Sequence, residues 1–126
     1  MTFLKEKVKM TKKVIPVAQY DGKSLVAKYA SISVASTMNG VQNAHIGKVA
    51  NGLRNTAGGF VWKSLNNFNG TLSPRCVGIV QTDRDGNILA AYADLATAAN
   101  LTGISESKIS AVLLGTRRSV NGYIFS

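Results

Sequence analysis

Cysteine, histidine and acidic residues are all scarce in this chain, and each scarcity removes a class of chemistry. Cys76 is the single cysteine, so no internal disulfide can form. Its setting, Cys-Val-Gly-Ile-Val from residue 76, reads as a buried strand thiol. His45 is the single histidine, so a histidine-rich nuclease or metal centre cannot be assembled. Paired catalytic carboxylates, metal-ligand clusters and phosphate-cradling glycine loops are likewise missing from the sequence, and the expectation is a protein that is not an enzyme and needs no cofactor. Long apolar runs are absent too: no stretch approaches the roughly 18 residues of a membrane span. The opening MTFLKEKVKMTKK lacks the apolar core of a signal peptide. The expected location is the cytoplasm of a bacterial or phage-infected cell, with no membrane partner.

Acidic side chains number 6 against 15 Lys and Arg, for a net charge of +9. A charge of that size speaks to partners and not to fold, and suits DNA, RNA or an anionic surface. An apolar fraction of 45% fits a folded protein and not a basic disordered tail.

What the chain does have is a duplication. Residues 29–62 align with 92–125 at a constant offset of 63, with identities at Tyr29/Tyr92, Ala30/Ala93, Ala35/Ala98, Gly40/Gly103, Ile46/Ile109, Val49/Val112, Gly52/Gly115, Arg54/Arg117 and Gly59/Gly122. Six further pairs exchange similar apolar residues, among them Val41/Ile104 and Trp62/Phe125. Upstream, Gln19 matches Gln81 with one residue more in the second copy. The predicted organisation is a basic arm at 1–13, a first module at 14–62, a linker at 63–75 rich in Asn, Ser and Gly, and a second module at 76–126.

Each module opens with β-rich residues around a turn signal, Asp21-Gly22 or Asp83 to Gly86, which predicts a hairpin. Ser31 or Asp94 then offers a helix-capping oxygen, and Gly40 or Gly103 stops that helix after seven or eight residues. A second helix follows at once, with Ile46, Val49 and Ala50, or Ile109, Val112 and Leu113, falling three and four apart. Gly52 or Gly115 ends it, and a short aromatic strand, FVW or YIF, closes the module. The fold class is therefore α+β, as two tandem modules of hairpin, helix-turn-helix and C-terminal strand.

Two short helices about a glycine, with a small residue at Ser36 or Ala99 for close crossing, have helix-turn-helix spacing. An αα-hairpin that serves packing alone has the same spacing. The run from Tyr-Ala-Ser-Ile or Tyr-Ala-Asp-Leu, through Gly-Val or Gly-Ile, to Ala-Gly-Gly-Phe-Val-Trp or Val-Asn-Gly-Tyr-Ile-Phe resembles the nuclease-associated modular DNA-binding domain of the first type, also called the intron-encoded nuclease repeat. The resemblance covers about residues 14–62 and 76–125. The second copy departs from it at Asn121 and Phe125, which bears on whether the two copies bind equally. The resemblance implies DNA binding by an accessory module of phage and organelle mobile elements. No nuclease motif is read in these residues, and the expectation is a module that acts apart from such an enzyme.

With Ile46, Val49 and Ala50 turned inward, the second helix of the first copy presents Ala44, Gly47, Lys48 and Asn51, with Gln42 and Asn43 at its start. Asn and Gln can pair with adenine, and Lys with guanine or phosphate, so Gln42, Asn43 and Lys48 are the expected base readers. The matching surface of the second copy is Ser105, Glu106, Ser107, Ser110, Ala111 and Leu114, which is less basic. His45 and Lys108 flank these faces. Arg54, Asn55, Arg117 and Arg118 follow the helices and are expected on phosphates, with Lys12 and Lys13 of the arm. Ordinary solvated side chains would read the same way. The aromatics Tyr29, Phe60, Trp62, Tyr92, Tyr123 and Phe125 fall on strand positions and are expected core residues, not base-stacking platforms, and Gln19 and Gln81 structural hairpin residues. A linker of this length extends to about 40 Å, enough for both modules to meet one duplex about 34–36 Å apart.

The leading expectation is a non-enzymatic binder of double-stranded DNA, a phage or mobile-element regulator or an accessory factor to a separate nuclease or other phage protein. The alternatives are a structural protein that uses the modules for assembly, as in a virion, and an RNA-binding protein.

Overall fold

The computed structural model describes residues 15–73 and 78–126. The elements run β1 (Val17–Asp21), β2 (Ser24–Tyr29), α1 (Ile32–Asn39), α2 (Asn43–Ala50), β3 (Val61–Ser64), β4 (Ile79–Asp83), β5 (Ile88–Tyr92), α3 (Leu95–Thr102), α4 (Glu106–Leu113) and β6 (Tyr123–Phe125). The architecture is α+β: four helices and one six-stranded antiparallel sheet in the order β3-β1-β2-β5-β4-β6. Each copy contributes one hairpin, two helices and one closing strand.

Local chemistry explains the helix ends. The Ser31 hydroxyl accepts a hydrogen bond from the Val34 amide at 3.1 Å, and the Asp94 carboxylate accepts one from the Thr97 amide at 2.8 Å. These bonds satisfy donors that a helix start would leave open. At the other end Gly40 and Gly103 adopt left-handed φ of 67° and 75°, which a Cβ would oppose, and their amides return to Ser36 and Ala99. Both second helices stop in the same double hydrogen bond: Leu53 to Lys48 with Gly52 to Val49, and Thr116 to Ala111 with Gly115 to Val112. That pairing is a Schellman motif.

Each hairpin carries an irregularity at the same place, between Gln19 and Tyr20 and between Gln81 and Thr82. There Gln19 and Gln81 are fully buried. The Tyr29 hydroxyl donates to Gln19 Oε1 and the Tyr92 hydroxyl to Gln81 Oε1, each at 2.6 Å. A buried amide is tolerated only with such partners. The first copy completes its set through Asn39, which bonds Gln19 and the Tyr29 hydroxyl; the second has Thr102 at that position, and Gln81 instead points its amide at Met38 Sδ of the first copy, 3.4 Å away.

The copies are not beads on a string. β2 pairs with β5, so the two three-stranded halves fuse into one sheet, and one apolar cluster contains Ile46, Val49, Trp62 and Tyr29 together with Ile109, Val112, Phe125 and Tyr92. The segment expected to be an extensible linker differs from that expectation. Lys63 and Ser64 belong to β3, the Leu65 amide bonds the Pro16 carbonyl, and Gly70 and Leu72 are buried. Phe68, Asn69 and Thr71 line a cleft with Lys28 of β2. Lys28 is out of phase with Ala27 and Tyr29, so this cleft lies on the sheet face opposite the helices. Apolar residues within an Asn- and Gly-rich run are the physical reason that the connection packs instead of extending.

Candidate nucleic-acid interface

α1 lies over β2 and α3 over β5, with α1 and α3 in contact at the centre; α2 packs on α1 and the edge strand β3, and α4 on α3 and the opposite edge strand β6. Ile46 and Val49 fasten α2 to the core, and Ile109 and Val112 fasten α4. The turn between α1 and α2 is held by the Ser36 hydroxyl, which donates to the Val41 carbonyl. Ala99 at the matching place makes close crossing possible without that bond.

With one stripe of each second helix pinned, its start and part of its outer side reach solvent. Gln42, Asn43, Ala44, Lys48 and Asn51 are exposed, and His45 is half-buried at the margin. In the second copy Ser105, Glu106, Ser107, Lys108 and Leu114 are exposed, while Ser110 and Ala111 are half-buried. Leu114 and Leu53 are each 77% exposed, so both second helices end beside an uncovered leucine. The Gln42 and Ser105 side chains, unlike Ser31 and Asp94, make no capping bond. The amides that open α2 and α4 therefore lack a side-chain acceptor, and partial positive charge gathers at those ends.

Arg54 and Arg117 have a structural task that the sequence did not disclose. Each donates from Nε to a carbonyl two residues on, Thr56 or Ser119, at 2.8 Å in both copies. This bond shapes the loop and leaves the outer guanidinium nitrogens to face solvent. Asn55 and Arg118 are exposed beside them. Arg118 shares a shallow cleft with Arg84, Ser119 and Ile124. Arg84 was missed in the sequence because it lies in a turn between Asp83 and Asp85, where its charge reads as locally neutralised. Asp83 instead turns to the backbone and side chain of Asn87, bonds that hold its carboxyl below the usual range.

The closing motif is a two-residue turn in both copies. Ala57 and Phe60 exchange backbone bonds of 3.0 and 3.1 Å, as Val120 and Tyr123 do at 2.9 and 2.8 Å. The central residues all have positive φ: 63° and 86° at Gly58 and Gly59, 53° and 86° at Asn121 and Gly122. This is the type I′ turn, for which Gly-Gly and Asn-Gly are the favoured pairs. Asn121 thus keeps the same backbone. Phe125 does not keep the bond that the Trp62 indole donates to the Ala57 carbonyl at 3.0 Å.

Tyr29, Trp62, Tyr92 and Phe125 are buried, which removes them as base-stacking platforms, whereas Phe60 and Tyr123, expected in the core with them, are half-buried against it because they stand beside the closing turns. The residues brought to the two second-helix faces are Gln42, Asn43, Lys48 and Asn51 on one side and Ser105, Ser107 and Lys108 on the other. Lys12, Lys13 and Cys76 lie outside the described residues. Among the described residues, no helix is long and apolar enough to cross a membrane, and no group of three or more His, Cys, Asp and Glu gathers as a metal site. No family model, curated protein or solved structure matches this chain.

Proposed function

We propose that this protein binds double-stranded DNA, without catalysis, through the outer faces of α2 and α4. The observation that carries the reading is the division of each second helix. Its apolar stripe is consumed by the core, while its start stays exposed in both copies, and in the first copy Lys48 and Asn51 of the outer face do too, in a chain of net charge +9. Gln42 and Asn43 carry the bidentate amide chemistry that suits adenine, and Lys48 suits guanine or phosphate. The uncapped amides at the helix starts, with Arg54, Arg84, Arg117 and Arg118, supply donors for the backbone. The resemblance of the two copies to nuclease-associated DNA-binding modules points the same way, and a regulator or an accessory to a separate phage or mobile-element enzyme is the role that fits.

Buried aromatics favour a duplex over single strands, whose recognition relies on stacking. The sheet edges weigh against assembly by strand addition. β3 has 4 residues with Lys63 exposed among them, and β6 has 3. Short edges resist pairing, and on β3 a charge adds to that.

Anisotropy titration of a labelled random duplex at several salt concentrations tests the reading. The expected result is binding whose log affinity falls with log salt at a slope of about −0.9 per phosphate contacted, with duplex DNA preferred over single strands and duplex RNA. Salt-independent or absent binding contradicts it, and preference for RNA redirects it.

A further inference from the structure

The order of the copies along the chain suggests two half-sites in the same orientation, but the sheet relates the copies differently. Under the offset of 63, Lys28 pairs with its own counterpart Ala91, while Ala27 pairs with Tyr92 and Tyr29 with Ala90, which are each other's counterparts. The flanking bonds repeat the exchange: Ala30 to Leu89 at 2.8 Å and Ala93 to Val26 at 2.9 Å. The Tyr29 and Tyr92 rings meet edge to face, 5.9 Å between centroids. These are the contacts of a self-complementary interface about a two-fold axis, here within one chain. Paired residues of neighbouring strands point to one face, so Tyr29 and Tyr92 both face the helices and the axis stands perpendicular to the sheet.

That axis carries α2 onto α4 by a half-turn. α2 lies at the β3 edge and α4 at the β6 edge. Five inter-strand steps of about 4.8 Å separate those edges by roughly 24 Å. Second helices standing over those edges are thus close enough for one duplex to meet both within about one turn. The shared core and the connection packed on the opposite face forbid the rotation that same-direction half-sites would need.

Resting on the DNA-binding reading, we infer that the target is a duplex bearing an inverted pair of half-sites around a local dyad. One half is read by Gln42, Asn43 and Lys48. The other is read weakly, since Ser105, Glu106 and Ala111 stand at the matching positions.

The test uses the full chain and a variant in which α4 carries the first-copy residues: Ser105→Gln, Glu106→Asn, Ser107→Ala, Ala111→Lys and Leu114→Asn. Duplexes are selected by each protein from a random library. The native chain is expected to select one clear half-site, and the variant the same half-site twice in inverted orientation. Placing that half-site twice, inverted, in one duplex should tighten variant binding at least about tenfold over a direct repeat. A direct repeat selected by the variant, or equal affinity for the two arrangements, overturns the inference and leaves DNA binding standing. Absence of duplex binding by the native chain overturns both. Should the variant fail to fold, hydroxyl-radical footprints of the native chain decide. Protection mirrored between strands about a centre supports the dyad, and protection repeated by translation or limited to one half-turn overturns it.

Discussion

At the residue scale the molecule turns on two buried tyrosine-glutamine pairs. Burial pushes the phenols of Tyr29 and Tyr92 well above the ordinary tyrosine range, so each hydroxyl stays protonated and donates to its glutamine. Removing the Tyr29 hydroxyl strands the Gln19 oxygen and takes one of two acceptors from the Asn39 amide, which keeps its bond to the Ala35 carbonyl. Tyr29→Phe should therefore cost about 1–3 kcal/mol by urea denaturation, more than Tyr92→Phe, whose hydroxyl has no asparagine partner at the matching position. Equal and negligible losses would contradict that asymmetry. The turn at Asn121 gives a second expectation. Asn121→Gly should change stability by less than about 1 kcal/mol, whereas Asn121→Val, a β-branched residue at positive φ, should cost about 1–3 kcal/mol. The sequence marked Asn121 as a departure from the first copy; the backbone shows that Asn-Gly and Gly-Gly serve one turn. The loop-shaping bond of Arg54 and Arg117 was not legible, because an intraloop bond from Nε leaves no pattern in spacing.

At the element scale, caps and stops were the most legible features, since they depend on neighbours within four residues. Ser31, Asp94, Gly40 and Gly103 stand where the helices begin and end. Asp94→Ala should lower stability by about 1 kcal/mol. The hydrogen bonds from the Thr97 amide and hydroxyl hold the Asp94 carboxyl below the usual carboxylate range. A depressed folded value means that its contribution is complete above the unfolded value of about 3.9 and fades as pH falls through the folded one. The acid limb of a stability profile should accordingly be shallower in Asp94→Ala than in the native chain; parallel limbs would deny the cap its charge. Strand ends were less legible. β3 runs on through Lys63 and Ser64, which a propensity reading assigns to a polar linker, because pairing with β1 holds them.

At the scale of the whole molecule, the junction of the two copies was the feature that the sequence concealed. β2 and β5 each read as the second strand of its own hairpin, and nothing in their alternation states that they pair with one another. Leu65, Phe68 and Leu72 were the available hint that the connection packs on the sheet. A common core makes unfolding a single event. Ile46→Ala and Ile109→Ala should each cost about 2–5 kcal/mol while the calorimetric transition stays single; two separable transitions would show that the halves fold apart. The candidate interface was legible in outline for the first copy, where the 3.6-residue period that buries Ile46 exposes Asn43 and Lys48, and less so for the second, where Ala111 at the place of Lys48 is half-buried. What the period could not give was their mutual orientation, which the central strand pair sets. The most direct test of the account is the change in backbone amide NMR shifts as duplex DNA is titrated into the 126-residue chain. Saturable changes are expected at residues 42–55 and 105–118. Changes centred on 65–73, on the sheet edges, or nowhere at all would contradict the assignment of the second helices to DNA.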